Sequence, residues 1–215
     1  MISLAEYADA DGLPEASFML GLGNHTYVAI QNLEDWAPSR TGRILVVEND
    51  TDTLLEAIEL NSPNPFSPLV RVDDSRFVVG CVGDFSGTSG GIELVTATPG
   101  STSLMVASAE QLGGVPTDFA MQDNNCGFAL VNTPDWQNGI RRFCLDSGAG
   151  DWLVEPGVHT IVSLFMVDPE TLVFADATYG ESGLRFVDLA GEPVVSALLT
   201  MGLPPGFSKP IAWLP

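Results

Sequence analysis

Gly42-Arg43-Ile44-Leu45-Val46-Val47 is the stretch that decides the fold, because it recurs three more times along the chain. The later copies are Gly91-Ile92-Glu93-Leu94-Val95, Gly139-Ile140-Arg141-Arg142-Phe143 and Gly183-Leu184-Arg185-Phe186-Val187. Their leading glycines are 49, 48 and 44 residues apart. A fixed period of about 40–50 residues is typical of a repeat architecture made of short strands. The repeat predicts an all-β protein.

Each Gly-led strand has the same three companions. An aromatic or apolar strand precedes it, another apolar strand follows it after a polar turn, and a short strand opens the unit. The aromatic strands are predicted at 27–30, 77–79, 128–131 and 172–175, the last strands at 54–60, 104–106, 152–154 and 194–199, and the opening strands at 17–20, 68–72, 119–121 and 161–167. Four strands per unit are the anatomy of a β-propeller blade.

We therefore predict four consecutive blades within a single domain, 1–215. The approximate blades are 13–60, 64–108, 116–156 and 158–200, and 205–215 is expected to be an extra inner strand. A blade buries both faces of its sheet only against its neighbours. The four units either close on themselves, form an open arc or continue into a larger ring of about seven blades. We expect the larger ring, with a missing N-terminal part, because the tail strand needs partners that the start of the chain does not clearly supply.

The repeat resembles the YVTN-type β-propeller family, whose unit pairs a Tyr-Val-Ala-like strand with a Gly-led strand and a Val-Ile-Asp-Thr-like turn. The matching residues are Tyr27-Val28-Ala29, 46–53 and Phe186-Val187-Asp188. Segments 7–17, 64–66 and 81–85 resemble uncharacterised bacterial secreted or lipoprotein propellers of this type. The resemblance implies export to a periplasmic, outer-membrane-anchored or extracellular location, and it allows a lipid anchor on a missing N-terminus. It implies no reaction.

The charge of the chain restricts its partners. The formal net charge is −20, from 28 acidic and 8 basic residues. This charge repels phosphate backbones, so nucleic acid is not an expected partner. No window reaches the roughly 18 uninterrupted apolar residues of a membrane-spanning helix, so no transmembrane segment is predicted.

Three cysteines cannot all pair within one chain, and none lies in a zinc-binding motif. Buried free thiols are the first expectation. Cys126 and Cys144 flank one predicted hairpin, so a cross-strand disulfide between them is the alternative in an oxidising compartment.

Five residues are predicted to bind a ligand at one rim. Trp36 and Trp136 lie in equivalent loops, each beside a carboxylate, and exposed loops on a rigid scaffold often carry recognition residues. Asp84 and Asp176 end equivalent strands, and Asp135 lies in the matching loop. Packing of the tryptophans on the next blade and turn formation by the aspartates are the alternatives.

The one candidate metal site is Asp9-Ala10-Asp11-Gly12 followed by Glu15. Alternating carboxylates and a sharp-turn glycine suit Ca²⁺, but the remaining ligands of a twelve-residue calcium loop are missing. A polar turn between blades is the alternative. No other cofactor is expected.

The main functional hypothesis is a non-catalytic binding or scaffold propeller that contacts a protein or polymer ligand. His25 and His159 belong to no nucleophile-elbow or HExxH motif, so they are expected to be ordinary loop residues. The alternative is a propeller enzyme, lactonase-like or quinoprotein-like, with an axial metal or cofactor site. Convergence of Asp84, Asp135 and Asp176 would favour it. An architectural role, as in a surface layer, is a third hypothesis.

Overall fold

Four antiparallel sheets follow one another along the chain in the computed structural model, which describes residues 2–98, 100–202 and 204–206. A short 3-10 turn at Ala5–Tyr7 precedes them. The first sheet contains β1 (Ala16–Leu22), β2 (His25–Ile30), β5 (Arg43–Glu48) and β6 (Thr53–Glu59), with a small hairpin of β3 (Leu33–Glu34) and β4 (Ala37–Pro38) between β2 and β5.

The second and third sheets have the same form. The second contains β7 (Val70–Arg71), β8 (Arg76–Cys81), β9 (Gly91–Thr96) and β10 (Ser103–Ser108). The third contains β11 (Val115–Met121), β12 (Cys126–Asn132), β13 (Gln137–Cys144) and β14 (Gly148–Val158). The helix α1 (Ala109–Leu112) connects them. Within the described part of the chain, no helix is long and apolar enough to cross a membrane.

The fourth sheet has a divided outer edge. It contains β15 (Ile161–Asp168), β16 (Thr171–Asp176) and β17 (Gly183–Asp188), and both β18 (Val194–Val195) and β19 (Leu199–Thr200) pair with β17. The prediction of an all-β chain is confirmed. Three of the sheets have the four predicted strands, whereas the fourth has five, because its predicted outer strand is divided into β18 and β19. Among the described residues the sheets are not joined into a closed ring. The predicted strand at 205–215 lies, from residue 207 onward, outside the described residues.

The predicted aromatic strands form the centre of the packing, because their alternate side chains face opposite neighbours. On β8, Phe77 and Val79 pack against the first sheet, whereas Val78 packs against the third. On β12, Phe128 and Leu130 pack against the fourth sheet. Strands that are apolar on both faces therefore become buried on both faces.

Buried polar side chains tie adjacent sheets together. Asp118 on β11 accepts a hydrogen bond from the backbone N–H of Leu164 on β15 at 3.0 Å. Asn138 on β13 donates to the backbone carbonyl of Ile161 at 2.7 Å. Both contacts fix where the fourth sheet begins relative to the third.

The expectation that all three cysteines are buried free thiols is wrong for two of them. Cys126 and Cys144 stand directly opposite each other on β12 and β13 and form a disulfide, with their Cα atoms 4.0 Å apart. The strand register puts the two side chains on the same face of the sheet, which is the arrangement the alternative required. Cys81 is a free, fully buried thiol.

Candidate functional site

An exposed aromatic side chain stands in the loop between the second and third strands of every sheet. These rim aromatics are Trp36, Phe85, Trp136 and Tyr179. The exposed fractions of the first three are 85%, 45% and 75%, and Tyr179 is fully exposed. The two predicted tryptophans therefore belong to a set of four. Because the four sheets share one strand order, equivalent loops leave them at equivalent ends.

The second and third of these loops are in contact. Gly87 has a φ of +80°, and a Cβ at this position would lie 2.9 Å from the Cα of Pro134. A side chain at residue 87 would separate the two loops, so glycine permits their close approach.

Three of the rim aromatics adopt left-handed backbone conformations. The φ angles are +67° at Trp36, +64° at Phe85 and +57° at Trp136. This region is unfavourable for bulky residues, and such strain occurs preferentially at functional sites. Each of the three directly follows an aspartate in the sequence.

Asp84 organises the loop that carries Phe85. It is exposed and accepts hydrogen bonds from the Ser86 backbone N–H at 3.1 Å and from the Ser89 hydroxyl. Hydrogen bonds from Ser86 and, to a smaller extent, from Ser89 lower the pKa of Asp84 to about 2. This carboxylate is therefore ionised at neutral pH.

Asp176 and Asp135 differ in their surroundings. Asp176 is buried, accepts hydrogen bonds from Thr178 and pairs with Arg185 at 2.9 Å. Burial opposes ionisation of Asp176, but hydrogen bonds from Thr178 and Arg185 outweigh it and lower the pKa. Asp135 is exposed.

The structure does not bring Asp84, Asp135 and Asp176 together. Among the described residues, the only group of at least three His, Cys, Asp or Glu with ligand atoms within 4.8 Å of one another lies elsewhere. Asp84 and Asp176 instead stabilise their own turns, which is the alternative that the sequence left open.

That group is Asp9, Asp11 and Glu15, the candidate calcium residues. Asp9 accepts a hydrogen bond from the Ser39 hydroxyl at 2.7 Å, and Glu15 accepts one from the Leu33 backbone N–H at 2.9 Å. Asp9 Oδ1 is buried without a hydrogen-bond donor among the described residues. Burial raises the pKa of Glu15, and the charges of Asp11 and Asp9 add to this effect.

A cavity of about 390 Å³ lies between the touching loops of the second and third sheets. We call it the aromatic cavity, because Phe66, Phe85 and Trp136 line it together with Val82 and Pro134. The ring centroids of Phe66 and Phe85 are 6.5 Å apart, with an angle of 77° between the planes. No charged side chain is among its described lining residues.

Asn132, at the end of β12, is the notable polar residue in this lining. Its Oδ1 is buried and receives no hydrogen bond from the described residues. A buried acceptor without a donor costs about 1–3 kcal/mol.

Phe66, Phe85, Asn132 and Tyr179 were missed by the sequence interpretation. The Asp-aromatic pairs 35–36, 84–85 and 135–136, at matching positions of three repeats, are a signal that would have found Phe85. Phe66 lies in a linker between sheets, and Asn132 ends a strand, so only the packing of the sheets shows that they share a cavity.

No protein-family model matches this chain, and no curated protein matches it either. Solved structures with propeller-like folds match this chain in structure. Hydrazine synthase of Kuenenia stuttgartiensis superimposes with a TM-score of 0.64 and 14% identity over 87% of this chain and 54% of that one.

A chain of the nidogen/laminin complex superimposes with a TM-score of 0.54 and 15% identity, over 78% of this chain and 56% of that one. This chain thus spans little more than half the length of either structure. The two superpositions indicate a similar fold, whereas identities of 14% and 15% carry no information on function.

Proposed function

We propose that this chain is a non-catalytic binding module, formed by four consecutive blades of a larger β-propeller of about seven blades. In this proposal the protein is exported, and its rim aromatics bind a partner protein that presents basic side chains. The observation that carries the proposal is that each of the four equivalent loops has an exposed aromatic side chain.

The chemistry of the rim fits a cationic ligand. Aromatic faces attract ammonium and guanidinium groups, and Arg also stacks on them. In the first three loops an aspartate, Asp35, Asp84 or Asp135, stands next to the aromatic residue. The net charge of −20 adds a long-range attraction for a basic partner and opposes an acidic one.

Three observations support the larger propeller and export. Each sheet packs on the next in chain order, as blades do. Val187 packs in the cluster shared with the third sheet, so its neighbour Phe186 lies on the opposite face of β17. Phe186 and Val194 remain exposed and offer an apolar surface to a further blade. The disulfide between Cys126 and Cys144 suits an oxidising compartment. The enzyme alternative has no comparable support, because Asp84, Asp135 and Asp176 do not converge.

The test compares two fluorescent peptides of equal length, one rich in Arg and one in which citrulline, its uncharged analogue, replaces every Arg. We expect the protein to bind the Arg peptide, with an affinity that falls as salt rises. Combined alanine substitution of the rim aromatics should weaken binding at least tenfold, whereas the protein's charge stays the same.

The matched control is the pair Met19→Ala and Leu104→Ala, which removes exposed apolar side chains outside the rim. This variant should bind like the parent protein. If the control and rim variants bind the Arg peptide equally well, the attraction is due to unspecific charge and the proposal is wrong. The proposal is also wrong if the parent protein binds the citrulline peptide as tightly as the Arg peptide. Fluorescence anisotropy measures both affinities.

A further inference from the structure

The geometry points to a specific role for the aromatic cavity: we propose that it is a cage for a single arginine side chain of the basic partner. This inference rests on the proposed function and deepens it. It assigns one of the rim's contacts to one cavity and predicts which residues hold the guanidinium group.

The three aromatic residues supply the walls of the cage. Phe66 and Phe85 stand nearly perpendicular to each other, with ring centroids 6.5 Å apart. Trp136 comes from the loop of the next sheet and is 75% exposed. A cation is attracted to a ring face when it lies within about 6 Å of the centroid, and Trp is the strongest partner.

Asn132 supplies the polar contact. Its buried Oδ1 lacks a donor among the described residues, and the guanidinium group carries five N–H donors and no acceptor. In the proposal the Asn132 amide turns towards the cavity when the guanidinium group enters, and its Oδ1 then accepts a hydrogen bond that the described residues do not supply. A ligand that only accepts hydrogen bonds would leave this acceptor unsatisfied.

Negative charge lies beside the cage and not within it. Asp84 and Asp135 directly precede Phe85 and Trp136 in the sequence, whereas the described lining is uncharged. Asp84 keeps its charge because its pKa is about 2. The carboxylates attract a cation from solvent, and the uncharged aromatic walls then favour the weakly hydrated guanidinium group over an ammonium group.

The cage is held in shape before a ligand arrives. The contact between Gly87 and Pro134 joins the two loops, and Asp84 fixes the turn that carries Phe85 through Ser86 and Ser89. Pre-organised walls reduce the entropy that a ligand must remove on binding. The volume of about 390 Å³ lies within the range of about 300–1,000 Å³ that is usual for ligand pockets.

The test uses a short peptide with blocked termini whose only charged side chain is one Arg, and its citrulline counterpart. Binding is followed by NMR titration. We expect the Arg peptide to bind and the citrulline peptide to bind at least fivefold more weakly. Phe85→Ala, Trp136→Ala and Asn132→Ala should each weaken Arg binding about fivefold, the size expected for one cation–π or hydrogen-bond contact. Trp36→Ala and Tyr179→Ala, which change rim aromatics outside the cavity, should alter it less than twofold.

The outcomes separate the two proposals. If the Arg-rich peptide binds the rim but the single-Arg peptide responds equally to Trp36→Ala and Phe85→Ala, the cage is wrong and the binding rim stands. Equal binding of the citrulline peptide would also overturn the cage, because the cavity would then take a neutral ligand. If the Arg-rich peptide itself fails to bind, the proposed function is wrong. Near-ultraviolet circular dichroism of each variant identifies any that has lost its fold.

Discussion

Glu93 Oε1, on the third strand of the second sheet, accepts a hydrogen bond from the backbone N–H of Ser62 at 2.8 Å. Its other oxygen accepts the backbone N–H of Asn61, also at 2.8 Å. Glu93 is completely buried, and residues 61–62 belong to the segment that leaves the first sheet. A carboxylate of one sheet thus satisfies the backbone of the segment that leads into it.

We expect Glu93→Ala to destabilise the protein by about 3–5 kcal/mol, because it leaves two backbone N–H groups without acceptors and creates a cavity. Glu93→Gln should cost less, since one acceptor oxygen remains. Urea unfolding followed by tryptophan fluorescence measures both. Glu192→Gln, at an exposed position, is the control and should change stability by less than about 0.5 kcal/mol. A loss below 1 kcal/mol for Glu93→Ala would contradict this role.

The disulfide predicts a defined thiol count and a defined loss of stability. The unreduced protein should show no reactive thiol when folded and one, Cys81, when unfolded in urea. Burial raises the pKa of the Cys81 thiol well above its usual range, and the charge of Glu93 adds to this, so the folded protein should resist alkylation.

Replacing both Cys126 and Cys144 with serine should cost about 3 kcal/mol, the size expected for a loop of this length. Cys81→Ser is the matched control for the thiol count, because it should leave none in the unreduced, unfolded protein. Three thiols in the unreduced, unfolded parent protein would refute the pairing.

Acid should weaken the turn that carries Phe85. Asp84 has a pKa of about 2 in the folded protein against an ordinary value of 3.8. A lowered pKa means that folding favours the ionised form, so this stabilisation is present above about pH 4 and is lost as the pH falls towards 2. We expect Asp84→Asn to destabilise the protein at pH 6 and much less at pH 2.5.

Thermal unfolding at both pH values tests this difference. Asp151→Asn, at another exposed aspartate, is the control. A stability gap between Asp84→Asn and the parent that is the same at both pH values would show that the charge of Asp84 does not matter to the turn.

The carboxylates near the N-terminus oppose one another. The pKa of Glu15 is raised by burial and by Asp11 and Asp9, so its ionisation destabilises the folded protein as the pH rises. Glu15→Gln should therefore raise the melting temperature at pH 7 in the presence of EDTA. The carboxamide oxygen of Gln can still accept the hydrogen bond from the Leu33 N–H. The parent protein and the variant therefore differ mainly in the charge at residue 15.

Calcium titration of the same two proteins then tests the cation hypothesis. A rise in the melting temperature of the parent protein that Glu15→Gln lacks would assign Ca²⁺ to this cluster. An equal response of both proteins would identify the cluster as a charged turn only.

Strand order was predictable because it depends on local pattern, whereas the aromatic cavity depends on distant contacts. The alternation of Phe77, Val78 and Val79 on β8 follows from a two-residue period, and it places side chains on both faces whatever the neighbours are. Phe66 and Trp136, by contrast, are 70 residues apart in the sequence. Nothing in their local sequence indicates that the packing of two sheets brings them to one cavity.

Distant contacts also decide the pairing of the cysteines and the division of the outer strand in the fourth sheet, so neither could be predicted from local sequence. Hairpin position alone allows Cys126 and Cys144 to meet, but their pairing requires a strand register that no local pattern specifies. The single strand predicted at 194–199 becomes β18 and β19, because only its two ends pair with β17.

Substitution of Trp136 should affect ligand binding without lowering the stability of the protein. Its left-handed φ of +57° is costly for a bulky residue, whereas Asn tolerates this region well. Its side chain is 75% exposed, so little buried area is lost on substitution. We expect Trp136→Asn to leave the protein as stable as the parent or up to about 1 kcal/mol more stable.

The same substitution should weaken binding of the single-Arg peptide at least fivefold, because it removes one wall of the aromatic cavity. Urea unfolding and NMR titration of one purified variant measure the two effects. Leu104→Ala, at an exposed position with ordinary backbone geometry, serves as the control for both. A residue kept only for packing would lose stability and leave binding unchanged, so that pattern would remove Trp136 from the binding site and assign it to the scaffold.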